Sequence, residues 1–193
     1  MIIDIVRHAE SEGNKLKMLQ GQFNSQLSEN GRLQAKSLGE ILDFPYNGVY
    51  SSPLDRALET AKISIFGKYS DQIIEIEGLQ EMSFGLLEQV HFSEFSNKQA
   101  DMWNKMKTEV NYKEHEGESG IEFYNRVISS IEYIIEESKK KNHQKILLFT
   151  HGGVIRILFQ FYLKLEKPFV KNTQIMRFCY SKSRLTFQKQ INF

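Results

Sequence analysis

With 193 residues, 40% of them hydrophobic, the chain is long enough to bury one substantial core and too short for two ordinary domains. A formal net charge of +1 implies neither a nucleic-acid-binding field nor an acidic tail. The single cysteine, Cys179, excludes an intramolecular disulfide framework and fits a reducing compartment. The N-terminal apolar run, interrupted by Asp4 and Arg7, is too short for a signal-peptide core, and no stretch approaches the roughly 20 apolar residues that cross a bilayer. The chain is therefore expected to be soluble and cytoplasmic, with no nucleic-acid or membrane partner.

Residues 2–6 form a short, apolar run rich in branched side chains and predict a buried strand. A helix is expected over 28–42, where Leu33, Ala35, Leu38, Ile41 and Leu42 suggest an apolar stripe. Residues 48–50 predict a second strand. Ser52 then reads as the N-cap of the next helix, with Pro53 at its first position and Asp55 as a capping-box partner. Residues 73–76 look like a third strand, and 90–106 like a helix that runs into the polar stretch 107–118. Ser119 and Glu122 make another capping box, and Phe123, Val127, Ile131, Ile134 and Ile135 recur at helical spacing behind it. The helix ends at Lys139-Lys140-Lys141, where cations favour the macrodipole. A strand over 145–149, an apolar helix over 154–163 and two closing strands over 174–180 and 184–190 complete the chain. Strands alternating with helices predict a three-layer α/β/α domain around a mostly parallel sheet, covered on both faces. The whole chain, 1–193, reads as one domain with a small cap or insert around 84–118.

The candidate chemistry sits at strand ends, where open α/β sheets bind ligands. Arg7-His8 follows the first strand, and His151-Gly152-Gly153 follows the strand over 145–149. An imidazole attacks phosphorus well when one nitrogen is free and the other is held protonated by a fixed acceptor. Arg7 offers a planar fork of donors for phosphoryl oxygens. Alone, a strand-end Arg-His pair fits a structural pairing with carboxylates equally well, but Asn14 follows in the same loop and could donate an amide hydrogen bond to the same phosphate. Arg56 lies on the first turn of a helix directly after a strand, where backbone N–H groups favour anions; an exposed pairing with Glu59 or Glu40 is the competing reading. Glu81 follows the third strand candidate beside apolar residues, an environment that favours the protonated carboxyl needed to protonate a leaving oxygen. Gly152 after His151 allows a ligand to approach the backbone closely. His91, His115 and His143 lie in polar surroundings without metal-ligand spacing and read as solvated histidines. Trp103, Met102 and Met106 read as packing.

Taken together, these blocks resemble the histidine phosphatase superfamily, in its phosphoglycerate mutase-like branch. Arg7-His8-Ala9-Glu10-Ser11 with Asn14 is similar to the family's Arg-His-Gly-Glu-Thr loop. Gln20-Gly21, the block from Leu27 to Ala35, Ser51-Ser52-Pro53-Leu54-Asp55-Arg56-Ala57, Glu81 with Phe84-Gly85, and Thr150-His151-Gly152-Gly153 follow in the family's order. The resemblance implies a phosphoglycerate mutase-like fold with a phosphate pocket at the strand ends and no metal or other cofactor. It implies His8 as the nucleophile that forms a phosphohistidine. Arg7, Arg56, His151 and Asn14 would hold phosphoryl oxygens, with Gln20, Gly21 and Gly152 lining the phosphate site. Glu81 would be the proton donor and later the base for water.

Three departures from the pattern carry consequences. Ala9 replaces a glycine, which is strained by roughly 1 kcal/mol or more if that backbone needs positive φ. Asn24 and Gln26 stand where the family often has Asp and Pro. Residues 86–124 contain no arginine, whereas mutases of the family use an Arg-Arg pair and a lysine there to hold the substrate carboxylate. The expected activity is hydrolysis of phosphate monoesters of small metabolites; phosphoglycerate mutase is the alternative enzyme, and a non-catalytic phosphate-binding module the alternative class. Specificity is expected in 84–118, where Phe84, Phe92, Phe95, Trp103 and Tyr112 form an aromatic cap. Phe159, Phe161, Tyr162 and Phe169 fit either core or interface, and oligomeric state is not legible.

Overall fold

Two rows of side chains alternate along each central strand, and each row meets a different pair of helices. The computed structural model describes residues 1–68, 72–166 and 168–191. Its strands are β1 (Ile2–Arg7), β2 (Gly48–Ser51), β3 (Ile74–Glu75), β4 (Lys145–Thr150), β5 (Ile175–Ser181) and β6 (Arg184–Ile191). They form one six-stranded sheet in the order β3-β2-β4-β1-β5-β6. The β1–β4, β2–β4 and β2–β3 pairs are parallel, and β5 and β6 close the edge as an antiparallel hairpin. The helices are α1 (Glu12–Lys15), α2 (Glu29–Ile41), α3 (Asp55–Ile65), α4 (Asn97–Thr108), α5 (Gly120–Lys140) and α6 (Gly152–Ile157).

Ile3, Ile5, Ile146 and Leu148 pack with Phe123, Val127, Ile131 and Ile134 of α5 and with Val154 and Ile155 of α6. The residues between them, Val6, Leu147 and Phe149, pack with Leu38 of α2 and Ala61 and Ile65 of α3. This is the period-two alternation of a sheet covered on both faces. One buried charge interrupts it. Asp4 accepts a bidentate pair of 2.7 Å bonds from Arg177, its registered partner on β5, and a 2.7 Å bond from the Tyr46 hydroxyl. A fully paired fork of this kind pins the antiparallel register, since a one-residue slip would leave the carboxylate orphaned.

Several local expectations are corrected. The Ser52 capping box does not form: α3 starts at Asp55 with Leu54 at its cap, and the Asp55 N–H is taken by Asn24 Oδ1 at 2.8 Å. The helix expected over 90–106 begins only at Asn97, under a Ser96–Gln99 capping box, while Gly85–Leu87 and Phe92–Glu94 are single 3₁₀ turns. Leu33 points away from the core and is exposed, although Ala35, Leu38 and Leu42 are buried. The third strand is confined to Ile74–Glu75. The helix after β4 starts two residues earlier than expected and continues as a π-turn over Leu158–Tyr162. The Ser119–Glu122 capping box is formed, and Lys139 and Lys140 occupy the last turn of α5. Phe159 is core, whereas Phe161 and Phe169 are exposed. Among the described residues no helix is long and apolar enough to cross a membrane.

Candidate active site

Strand register assembles the site. Arg7 on β1 lies opposite Thr150 on β4, so His8 and His151 leave the sheet side by side, with ring centroids 5.2 Å apart. Ser51 on β2 lies opposite Phe149, which delivers Ser52 and the start of α3 to the next position.

His8 Nδ1 is 2.7 Å from the Ala9 carbonyl oxygen. A carbonyl only accepts, so Nδ1 carries the proton and Nε2 keeps its lone pair. His8 is 4% exposed. Burial, then the charges of Arg56 and Arg7, push its pKa well below the usual histidine value, so the imidazole is neutral at neutral pH. This is the nucleophilic form.

His151 is held neutral by the same causes, burial first and Arg56 second. Its Nε2 lies 2.8 Å from Ser52 Oγ, which already accepts the Leu54 N–H at 3.3 Å. When the Ser52 hydroxyl donates to Nε2, the ring proton sits on Nδ1. The hydroxyl expected to cap a helix instead bonds a histidine 99 residues away.

Arg7 donates from Nη1 to the Val170 carbonyl at 2.6 Å. Arg56 donates from Nη1 to Phe23 O at 2.9 Å and from Nη2 to Gly21 O at 2.6 Å. It is buried and not an exposed partner of Glu59, which pairs with Arg32. Burial lowers the pKa of Arg56 to about 10, against the pull of Glu81 and Glu88. Arg7 is lowered by burial as well. Arg7 Nε, Arg56 Nε and His151 Nδ1 are all buried without a partner. Unpartnered buried polar groups are costly, and these three belong to the two cations and the second imidazole that act on His8. An oxyanion would satisfy them.

Glu81 completes the group. Its Oε2 accepts the Gly153 N–H and its Oε1 the Met82 N–H, each at 3.0 Å. A Cβ at position 153 would lie 1.9 Å from Glu81 Oε1, so only glycine admits the carboxylate there. Asn14 closes the capping box of α1, and its Oδ1 accepts the Ser11 N–H and a bond from Asn172 Nδ2. Its Nδ2 remains as the available donor. Gln20 Oε1 accepts the Ser11 hydroxyl at 2.7 Å, bracing that loop from below. Gly21, at φ +53°, supplies its carbonyl to Arg56. A Cβ on Gly152 would stand 3.6 Å from Arg7 Nε, so the backbone passes close to that guanidinium. Every residue expected at the site thus lies in one connected neighbourhood. Sequence reading missed Ser52 as a histidine partner and Asn172, which donates to the His8 carbonyl at 2.9 Å; neither contact has a local signal.

The histidines outside the site correct one expectation. His115 is fully buried, its ring stacked on Tyr112 at 5.6 Å. Among the described residues no group of three or more His, Cys, Asp or Glu is placed to hold a metal ion. Within residues 84–118, Phe84, Phe92 and Phe95 pack around Trp103 at 5.1–6.4 Å, so the aromatic rings serve one another as a small core.

The model of the histidine phosphatase superfamily (branch 1) matches residues 3–191. The chain belongs to this superfamily. It is 31% identical over 161 residues to a metal-independent phosphoserine phosphatase of Arabidopsis thaliana, covering 81% of this chain and 66% of that protein. It is 29% identical over 195 residues to the broad-specificity phosphatase YOR283W of Saccharomyces cerevisiae, covering 95% and 81%. A phosphoserine phosphatase mutant of Entamoeba histolytica, crystallised with phosphoserine, shares the fold at TM-score 0.81 and 24% identity, over 98% of this chain and 95% of that one. A phosphohistidine intermediate is general to histidine phosphatases. The departure at Ala9 carries no backbone strain: Ala9 is not in the left-handed region, its N–H bonds Thr60 Oγ1 at 3.0 Å, and its methyl packs with Leu27 and Ala35.

Proposed function

We propose that this histidine phosphatase hydrolyses phosphate monoesters of small metabolites with His8 as nucleophile and Glu81 as proton donor. Unpartnered buried nitrogens on Arg7, Arg56 and His151, beside a neutral His8 imidazole whose Nδ1 is bonded to a carbonyl, support this reading most directly. The Nε2 lone pair attacks phosphorus, the P–O ester bond breaks, and Glu81 gives a proton to the departing oxygen. Glu81 then takes a proton from water, whose oxygen attacks phosphorus as the N–P bond breaks and phosphate leaves. Arg7, Arg56, His151 and Asn14 hold the equatorial oxygens where charge accumulates. Gln20, Gly21 and Gly152 shape the loop, the arginine brace and the close approach. The half-buried thiol of Cys179 fits a cytoplasmic setting.

Two features favour hydrolysis over mutase chemistry. Residues 86–124 lack arginine, and the next one, Arg126, is fully engaged by Glu118 and backbone carbonyls. A mutase must retain and reorient a bisphosphorylated intermediate, which needs a carboxylate clamp. Phosphoserine, the substrate named for one relative and the ligand of one structural neighbour, is the first compound to assay. Incubation with phosphoserine and with 3-phosphoglycerate is expected to release inorganic phosphate; efficient formation of 2-phosphoglycerate would overturn the reading.

The role given to Glu81 has its own test at Gly153. Gly153→Ala drives a methyl into the Glu81 carboxylate and is expected to lower kcat by about 100-fold, the scale of a misplaced catalytic group. Steady-state kinetics beside a thermal melt checks this; kcat within threefold of wild type would mean that the carboxylate position is immaterial.

A further inference from the structure

One ion pair grips the backbone on both sides of Glu81. Arg126, on α5, donates from Nη1 to the carbonyls of Gly78 and Gln80 at 3.0 and 3.1 Å, and from Nη2 to the carbonyl of Glu81 itself at 3.1 Å. The same guanidinium meets Glu118 at 2.7 Å from Nε and 2.6 Å from Nη2. Glu118 Oε2 in turn accepts the Ser83 N–H at 2.9 Å, and the Glu118 N–H donates to Ser83 O at 3.0 Å. The segment therefore has its carbonyls before and at Glu81 held by the cation, and its next free N–H held by the anion.

We infer that Arg126 and Glu118 are positioning residues for the proton-transfer step, fixing the Glu81 carboxyl relative to the leaving oxygen. The inference rests on the proposed role of Glu81. The pair is three-quarters buried or more, with side chains 23% and 19% exposed, so its bonds are only partly screened by water. All of its contacts with the segment are to main chain, the part of Glu81 that decides where its carboxyl can reach. Glu118 also stands where the aromatic cap rejoins the body, so cap and proton donor share one anchor. A fork is required: lysine would keep the charge yet could not bond a carboxylate and three carbonyls at once.

The test uses phenyl phosphate and p-nitrophenyl phosphate, similar in shape but unequal in their need for protonation. In Arg126→Lys and Glu118→Gln both rates are expected to fall, with phenyl phosphate losing about tenfold more in kcat/KM. The ratio of the two substrates is insensitive to the folded fraction, so partial unfolding cannot mimic the result. Glu81→Gln, measured in parallel, should show the same discrimination in stronger form. If Glu81→Gln discriminates and neither clamp variant does, the clamp inference is overturned. If Glu81→Gln itself loses both substrates equally, the acid role of Glu81 is overturned.

Discussion

Replacing His8 with alanine is expected to lower turnover of p-nitrophenyl phosphate by about 10⁴-fold or more, the scale set by removing a covalent nucleophile. The nitrophenolate leaves without help from an acid, so the loss isolates attack on phosphorus from proton donation. The fold should survive. The His8 backbone N–H donates to Thr150 O at 2.9 Å and its carbonyl accepts from Asn172 Nδ2, and both bonds are independent of the ring. The vacated volume adjoins polar atoms, the Ala9 carbonyl and the His151 ring, so water can enter. Near-ultraviolet circular dichroism should therefore match wild type, and rapid-quench experiments should lose the acid-labile phosphoenzyme. A rate within tenfold of wild type, or a persisting phosphoenzyme, would remove the nucleophile from position 8.

The parts of this architecture that were legible in advance share a physical cause. β1, β4 and α5 carry their instructions locally: short apolar runs, broken in β1 only by Asp4, for strands buried on both faces, and a capping box followed by a 3.6-residue stripe for the helix. His8 and His151 were legible because a residue just past a buried parallel strand has only one place to go. What escaped the reading depends on partners distant in sequence. Ser52 has the surroundings of a cap, but a buried imidazole competes for its hydroxyl, and Asn24 caps α3 from 31 residues away. Phe92 and Phe95 continue an apolar pattern into the region before α4, yet Trp103 gathers them as turns. His115 has polar neighbours in sequence, but Tyr112 and the Glu118 carbonyl enclose it in space. The Glu118–Arg126 pair was equally hidden, since eight positions across a helix start signal no contact.

Arg56 carries the sharpest separation of stability from function. At neutral pH it is charged, and burial has lowered its pKa to about 10. A group whose basicity falls on folding is disfavoured in its charged form at every pH below the folded value, by about 3 kcal/mol for a shift of this size. A phosphoryl dianion bound beside Arg56 would offset that cost. Arg56→Met removes the charge and keeps most of the volume. It also strips donors from the Gly21 and Phe23 carbonyls, a cost of about 1 kcal/mol for each if it stays dry. The two effects oppose, so the urea-unfolding free energy of the unliganded protein is expected to move by less than about 2 kcal/mol. Activity should not be spared: kcat/KM for a phosphate monoester is expected to fall about 10³-fold, as when a preorganised donor to developing negative charge is deleted. Inorganic phosphate is expected to raise the melting temperature of the wild type and to raise that of the variant much less, because a main anion-binding group is gone. A variant that unfolds several kcal/mol more easily yet keeps phosphate-induced stabilisation would instead mean that Arg56 serves the Gly21–Phe23 loop alone.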